Sequence, residues 1–264
     1  MTDFKNNVLS FLSLILISVS CSQGCVNNNQ GEPSARSEGY TEAPLRERSL
    51  PLAKELIGLT TPEGESLAYT ADARADLLPL LSFFQWQQTT TFCGIASAVT
   101  VLNALKISAP LVAQYNYQVF TQDNFFQPTD RKMASREEVQ KNGLTLSQLG
   151  ALLSSHGAKV HVYPSNITSR EQFKSIAIEN LKNKNDSIIV NYNRKSAFQE
   201  GGGHHSPLAA YHSKADRFLI LDVAQHKYEP VWIRSEDLWN AMHTTDSTDP
   251  NIWRGFLTVA RNDL

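Results

Sequence analysis

Cysteine is scarce in this chain: three in 264 residues, too few for a disulfide scaffold, and no Cys/His cluster has zinc-ligand spacing. An excess of one charge is also missing. Lys and Arg number 24 against 26 Asp and Glu, for a net charge of -2, and no basic patch is interleaved with aromatics. That balance excludes nucleic acid as an expected partner. Long hydrophobic runs are absent as well, the most apolar being Val8 to Val19, about twelve residues and too short to span a bilayer as a helix. No internal repeat recurs at a fixed period, which sets repeat architectures aside. What is present is a 41% hydrophobic chain, enough for a sizeable core in one domain of roughly 200 residues plus accessory segments.

The short apolar run suits a signal-peptide core, although Asp3 cancels Lys5 before it. Small residues, Ser18-Val19-Ser20, then lead to Cys21, as at a lipoprotein processing site, with Ser18 where Leu is usual. Residues 1–20 are therefore expected to be a signal peptide, and Cys21 the lipidated first residue of the mature chain. Ordinary signal cleavage and a Cys21–Cys25 disulfide are the alternatives. Residues 21–49 are polar and rich in Gly, Asn, Ser and Glu, with almost nothing to bury, and read as a disordered tether. The expected location is exported, either periplasmic or anchored through lipid, the one membrane contact expected. The folded part is 50–264. Cys93 is its single thiol, and an unpaired Cys in an oxidising compartment is a liability that favours chemistry over packing.

The stretch Gln87-Gln88-Thr89-Thr90-Thr91-Phe92-Cys93-Gly94-Ile95-Ala96-Ser97 organises the rest. Ile95, Ala98, Val99, Leu102 and Leu105 fall on one helical stripe, which puts Cys93 at a helix start. Unpaired N–H groups and the positive dipole end favour a thiolate there. Gln87 and the Cys93 N–H are two donors that can converge as an oxyanion hole. The other reading is a small apolar residue that packs the helix start.

Further helices are predicted over Thr145 to His156 and from Thr168 and Ser169 to about Leu181, the second opened by a capping box with Glu171 and Gln172. Pro79 argues against one continuous helix through Ala71 to Phe84, Val112 to Phe126 reads as a helix and loop, and Ser135 to Glu138 reads as a polar turn. The later part turns to strands: Lys159–Tyr163, Ser187–Tyr192, His205–Tyr211, Arg217–Ala224, Glu229–Ile233 and Phe256–Ala260, with Ser235 capping a short helix. A helical half followed by a mainly antiparallel half is an α+β layout.

A thiolate nucleophile needs a base, and the base an orienter. His156, His161, His226 and His243 read as a helix cap, a strand residue, a loop residue and a residue past a helix end. Gly201-Gly202-Gly203 instead deliver His204 and His205 to the start of a strand, where backbone can approach a ligand closely. Eighteen residues beyond His204, Asp222 interrupts an apolar strand, and it must be hydrogen-bonded there. A two-residue turn at Lys214-Ala215 would pair Pro207 with Asp222 and put His205 on the face of Asp222; a longer loop, or a bulge near Pro207, puts His204 there. His204 and His205 with His212 form a further grouping that reads only weakly as a metal site.

The segments Gln87…Ser97, Val101-Leu102-Asn103-Ala104-Leu105, Gly201…His204 with Ser206-Pro207, and Leu221-Asp222-Val223-Ala224 followed by Lys227-Tyr228 resemble the phytochelatin synthases, from about residue 50 onward. The resemblance implies a papain-like cysteine protease fold and action on glutathione. It implies a catalytic triad at Cys93, His204 and Asp222, with the oxyanion glutamine at Gln87. Asp246 and Arg254 match positions that hold the glutamyl amine and carboxylate, beside Gly203. No cofactor is implied, and heavy metal ions such as Cd²⁺ or Zn²⁺ would arrive as glutathione thiolate complexes. A homodimer is left open. Expected chemistry is cleavage of the Cys–Gly bond through a γ-Glu-Cys acyl-enzyme, then hydrolysis or transfer to a second glutathione. Gln225 stands where synthases commonly carry Arg, and no Cys-rich domain like that of the plant enzymes precedes Leu264; both features favour hydrolysis. The competing functions are a papain-like peptidase of other specificity, and a non-catalytic lipoprotein that binds metal-thiol complexes.

Overall fold

A computed structural model describes residues 50–262 except 128, 129, 131 and 132. The expected signal peptide and tether, with Cys21, lie outside the described residues. In chain order the elements are β1 (Ile57–Gly58), α1 (Pro62–Thr70), α2 (Leu77–Ser82), α3 (Cys93–Ala104), β2 (Leu111–Val112), β3 (Tyr117–Gln118), α4 (Arg136–Asn142), α5 (Leu146–Ser155), β4 (Ala158–Pro164), α6 (Arg170–Asn180), β5 (Asp186–Asn193), β6 (Gly203–His212), β7 (Arg217–Ile220), β8 (Val231–Arg234), α7 (Ser235–Met242) and β9 (Gly255–Arg261). Seven strands form one antiparallel sheet in the order β1-β8-β7-β6-β5-β9-β4, while β2 and β3 make a separate hairpin. This is the expected α+β arrangement.

Reciprocal capping boxes open three of the helices, with Ser135 and Glu138 at α4, Thr145 and Gln148 at α5, and Ser169 and Gln172 at α6. The box at α6 was expected, as was Thr145 as the cap of α5. The third turns the predicted polar turn after Ser135 into a helix. Pro79 sits in the first turn of α2, where its missing N–H costs no helical bond. Val112 to Phe126 forms no helix of α type: it turns through a 3-10 stretch at Ala113–Tyr115 inside the β2–β3 hairpin, and Asn103 then takes the backbone of Phe120 with both ends of its amide. Ser235 is not the cap of α7: Arg234 occupies that position, and the Ser235 hydroxyl donates to Asp216 at 2.7 Å.

The sheet is buried on both faces. On one side α3 and α5 pack Ile95, Val99, Leu102, Leu149 and Leu153 against Ile189, Leu219 and Leu257. On the other, Phe173 of α6 and Leu238 of α7 pack against Val190, Phe218 and Phe256. β6 carries the decisive irregularity. It pairs with β7 as His212↔Arg217, Tyr211↔Phe218 and Ala210↔Leu219, and then slips to Leu208↔Ile220. The slip is a bulge at Ala209, which leaves Ala209 and Ala210 both on the α3 side. Side chains before the bulge therefore swap faces, and His204 joins Asp222 on one face while His205 takes the other.

Away from these features, Asp76 is 2% exposed with one carboxylate oxygen unpartnered. Burial and the charge of Asp186 push its carboxyl up to about 8, and burial pushes Asp186 itself up to about 6. Carboxyls whose folded pKa is raised favour the fold while protonated. Their contribution is complete below about pH 4 and is lost as pH rises through 6 and 8. Asp76→Asn keeps the shape without the charge, so thermal melts should show it stabilised at pH 8 by on the order of 1–2 kcal/mol and unchanged at pH 4. Equal melting shifts at both pH values would contradict this.

Candidate active site

Cys93 is the first residue of α3, and Phe92 before it supplies no side-chain cap, so the helix start keeps its N–H groups for another partner. Gly94 packs this turn closely against Leu144, where a side chain would come within 3.1 Å of the Leu144 methyl. The Ser97 hydroxyl lies 2.8 Å from the Cys93 carbonyl and 3.2 Å from that of His205, tying helix to strand. The sulfur opens into a cavity of about 590 Å³ whose lining includes Asn191, Gly203, His205, Asp246 and Arg254.

Two imidazoles reach the thiol. His205 Nδ1 stands 3.9 Å from Sγ. Burial pushes the thiol pKa up, but the charge of His204 and hydrogen bonds from His204 and His205 outweigh it, so the thiol lies well below its usual range. His204 spends Nε2 on Asp222 Oδ1 at 2.9 Å, leaving Nδ1 for the sulfur. Burial and the Arg194 charge depress the His204 pKa, while Asp222 and the thiolate more than offset them and raise it. The favoured state is a thiolate facing an imidazolium.

Asp222 is fully buried, which alone would raise its pKa, yet His204 and Arg194 hold it well below the usual carboxylate range. Arg194 grips it through both guanidinium ends at 2.8 Å, and the Ala224 N–H adds a bond of 2.9 Å. Arg194 also donates to Gln199 at 2.6 Å and lies over the Tyr228 ring. No sequence signal pointed to Arg194; followed by Lys195 in a polar stretch, it reads as a solvated charge.

Gln87 is anchored near the site, its N–H donating to the Val223 carbonyl at 2.9 Å. Its side-chain Nε2 donates to Thr89 at 2.7 Å, and its Oε1 is buried without a partner. One amide N–H remains for an oxyanion. Asp246 and Arg254 both line the cavity and pair with each other at 3.4 Å. Arg254 is buried, and its Nε–H has no acceptor, so the cavity offers an orphaned cationic donor. Gly203 lies against the Arg254 guanidinium, where a Cβ would collide. His212 is not gathered with His204 and His205: its ring contacts Thr70 and the Ala215 N–H. Among the described residues no three His, Cys, Asp or Glu side chains form a metal-holding group. Nor is any helix among them long and apolar enough to cross a membrane.

The family profile described as Phytochelatin synthase matches residues 46–256. A protein of Lotus japonicus named glutathione gamma-glutamylcysteinyltransferase 3 is 30% identical over 222 residues, covering 83% of this chain and 45% of its own length. The wheat (Triticum aestivum) glutathione gamma-glutamylcysteinyltransferase 1 is 31% identical over 224 residues, 83% of this chain and 43% of its own. A Schizosaccharomyces pombe protein with the corresponding name is 24% identical over 160 residues, 61% of this chain and 37% of its own. The chain thus spans a little under half the length of the plant relatives it matches.

Proposed function

Because this chain belongs to the phytochelatin synthase family, we propose that it cleaves the Cys–Gly peptide bond of glutathione through a thioester on Cys93. The observation that carries the reading is the lowered thiol beside an imidazole that a buried carboxylate orients, opening on a cavity with a cationic donor. Cys93 thiolate attacks the Cys–Gly carbonyl carbon, and the oxyanion takes N–H donors from the Cys93 backbone and Gln87. The C–N bond breaks as His204 imidazolium gives its proton to the departing glycine nitrogen. Neutral His204 then takes a proton from water, the hydroxide oxygen attacks the thioester, and the C–S bond breaks to release γ-Glu-Cys and the Cys93 thiolate. When the amine of a second glutathione replaces water, the product is (γ-Glu-Cys)₂-Gly. Uncharged Gln225, three residues after Asp222 in the sequence, supports hydrolysis as the main outcome. Arg254 accepts the glutamyl carboxylate and Asp246 the amine. Metal ions enter as substrate, bound to glutathione thiolates.

Incubation with glutathione, with and without Cd²⁺, followed by mass analysis tests this: glycine and γ-Glu-Cys are expected, and failure to release glycine would refute it. Gly203→Ala adds a test of the carboxylate site. Since the colliding group is the movable end of Arg254, the fold should survive while the guanidinium shifts. KM for glutathione should rise about ten-fold with a smaller change in kcat. An unchanged KM would remove Arg254 from the binding site.

We also propose that the exported chain is lipidated at Cys21. Labelled palmitate should enter the wild type and not Cys21→Ser.

A further inference from the structure

The two imidazoles beside Cys93 sit in opposite electrostatic surroundings. His204 faces a carboxylate. His205 faces an amide, because the β5–β6 register sets Asn191 directly across from it. Asn191 Nδ2 lies 2.8 Å from His205 Nε2 and 3.2 Å from its Nδ1, and Asn191 Oδ1 lies 3.2 Å from Arg254 Nη1. The guanidinium has only donors, so it fixes which end of the amide it meets: oxygen toward Arg254, NH₂ toward His205. The nearer ring nitrogen, Nε2, is then taken as the acceptor, which assigns the ring proton to Nδ1. That nitrogen stands 3.9 Å from Sγ.

We propose that His205 is a second N–H donor to the Cys93 thiolate, held in the Nδ1–H tautomer by Asn191, which Arg254 orients in turn. The inference deepens the reading of Cys93 as the nucleophile and rests on it for its functional meaning. It divides the labour of adjacent histidines: His204 carries the proton to and from the substrate, and His205 shelters the sulfur's charge between steps. Asn191 and Arg254 are positioning residues. It also joins the carboxylate-binding arginine to the sulfur through one amide, so loss of Arg254 acts on the thiol as well as on binding. Ser97 ties the His205 backbone to the turn of Cys93.

The test is the pH dependence of Cys93 alkylation by iodoacetamide in the full chain without substrate. The charged groups around the sulfur are His204 and His205 from β6, Asp222 after β7, Arg194 after β5, Arg254 before β9, Asp246 in the loop preceding it, and Glu138 of α4 at the cavity wall. The variants His205→Phe and Asn191→Leu leave all of these except His205 unchanged. Each should move the midpoint of the alkylation pH profile up by about one unit, so the rate falls about ten-fold at pH values below both midpoints and stays within two-fold at pH 9. His205→Gln returns an amide donor and should reverse most of the midpoint shift. Long-range ¹H–¹⁵N spectra of the wild type should show Nδ1 of His205 protonated and Nε2 bare, a readout that needs no variant to fold. A profile midpoint that does not move in either variant, or a proton on Nε2, would overturn the proposal. Neither readout uses glutathione. A glutathione-active Cys93→Ser would sink the nucleophile reading and leave the thiol's hydrogen bond to be judged by these measurements.

Discussion

Replacing Cys93 by serine should lower glycine release from glutathione by at least three to four orders of magnitude, with the fold unchanged. The size follows from what the site is built to do. Its helix start is uncapped, and its two imidazoles together drive the sulfur well below the usual thiol range. Nucleophile and base act as a unit, so removing one disables the other, and only oxyanion donors and binding remain. Serine adds a second handicap. Its hydroxyl is far less acidic than a thiol, so the thiolate–imidazolium pair has no counterpart. The loss should sit in kcat, with KM little changed, since Asp246 and Arg254 are untouched. Residual activity above about one hundredth of wild type would mean that another group attacks the peptide bond.

Arg194→Met should be the most damaging substitution away from the sulfur. It strips the bidentate partner from Asp222, a carboxylate with no exposure to water. Breaking a buried pair from one side costs about 3–5 kcal/mol, because the remaining charge is left uncompensated. For a folded part of this size that is a fall in thermal midpoint of roughly 10 °C. Its pH signature is distinctive. In the wild type the folded carboxyl is held below its unfolded value, so its stabilisation is present above about pH 4 and is lost as pH falls through the depressed value. Without Arg194 that depression shrinks, and acid unfolding should begin at higher pH. His204 loses a repelling cation but keeps a less firmly held carboxylate, so kcat should drop with stability. Arg194→Met/Asp222→Asn should recover stability and not turnover. A single variant that melts like wild type would remove Arg194 from the account.

Particular residues show how far the chain could be read before its structure. The Cys93 helix was legible because its stripe of Ile95, Val99 and Leu102 repeats at helical spacing and packs as such. Among the strands, Lys159 to Tyr163 was legible by alternation and Ser187 to Tyr192 as an unbroken β-branched apolar run, which suits a strand buried on both faces. The capping box of α6 and the Thr145 cap of α5 were legible, whereas the start of α4, where Val139 alone is buried, read as a turn. The choice between His204 and His205 was open in the sequence because it turns on one bulge, and Ala209-Ala210 carries no glycine or asparagine to announce it. Arg194 and Asn191 stayed hidden for a different reason. A polar residue at a strand or its end reads as solvated unless its partner is known, and their partners, Asp222, His205 and Arg254, arrive from 14 to 63 residues away.

The most direct test of the central claim is intact and peptide mass analysis after mixing the protein with glutathione and quenching in acid within one turnover. The thioester mechanism predicts one γ-Glu-Cys acyl group on the peptide that holds Cys93, removed by hydroxylamine and absent from Cys93→Ser. Glycine release with no adduct on that peptide, or with the acyl group on another residue, would contradict it.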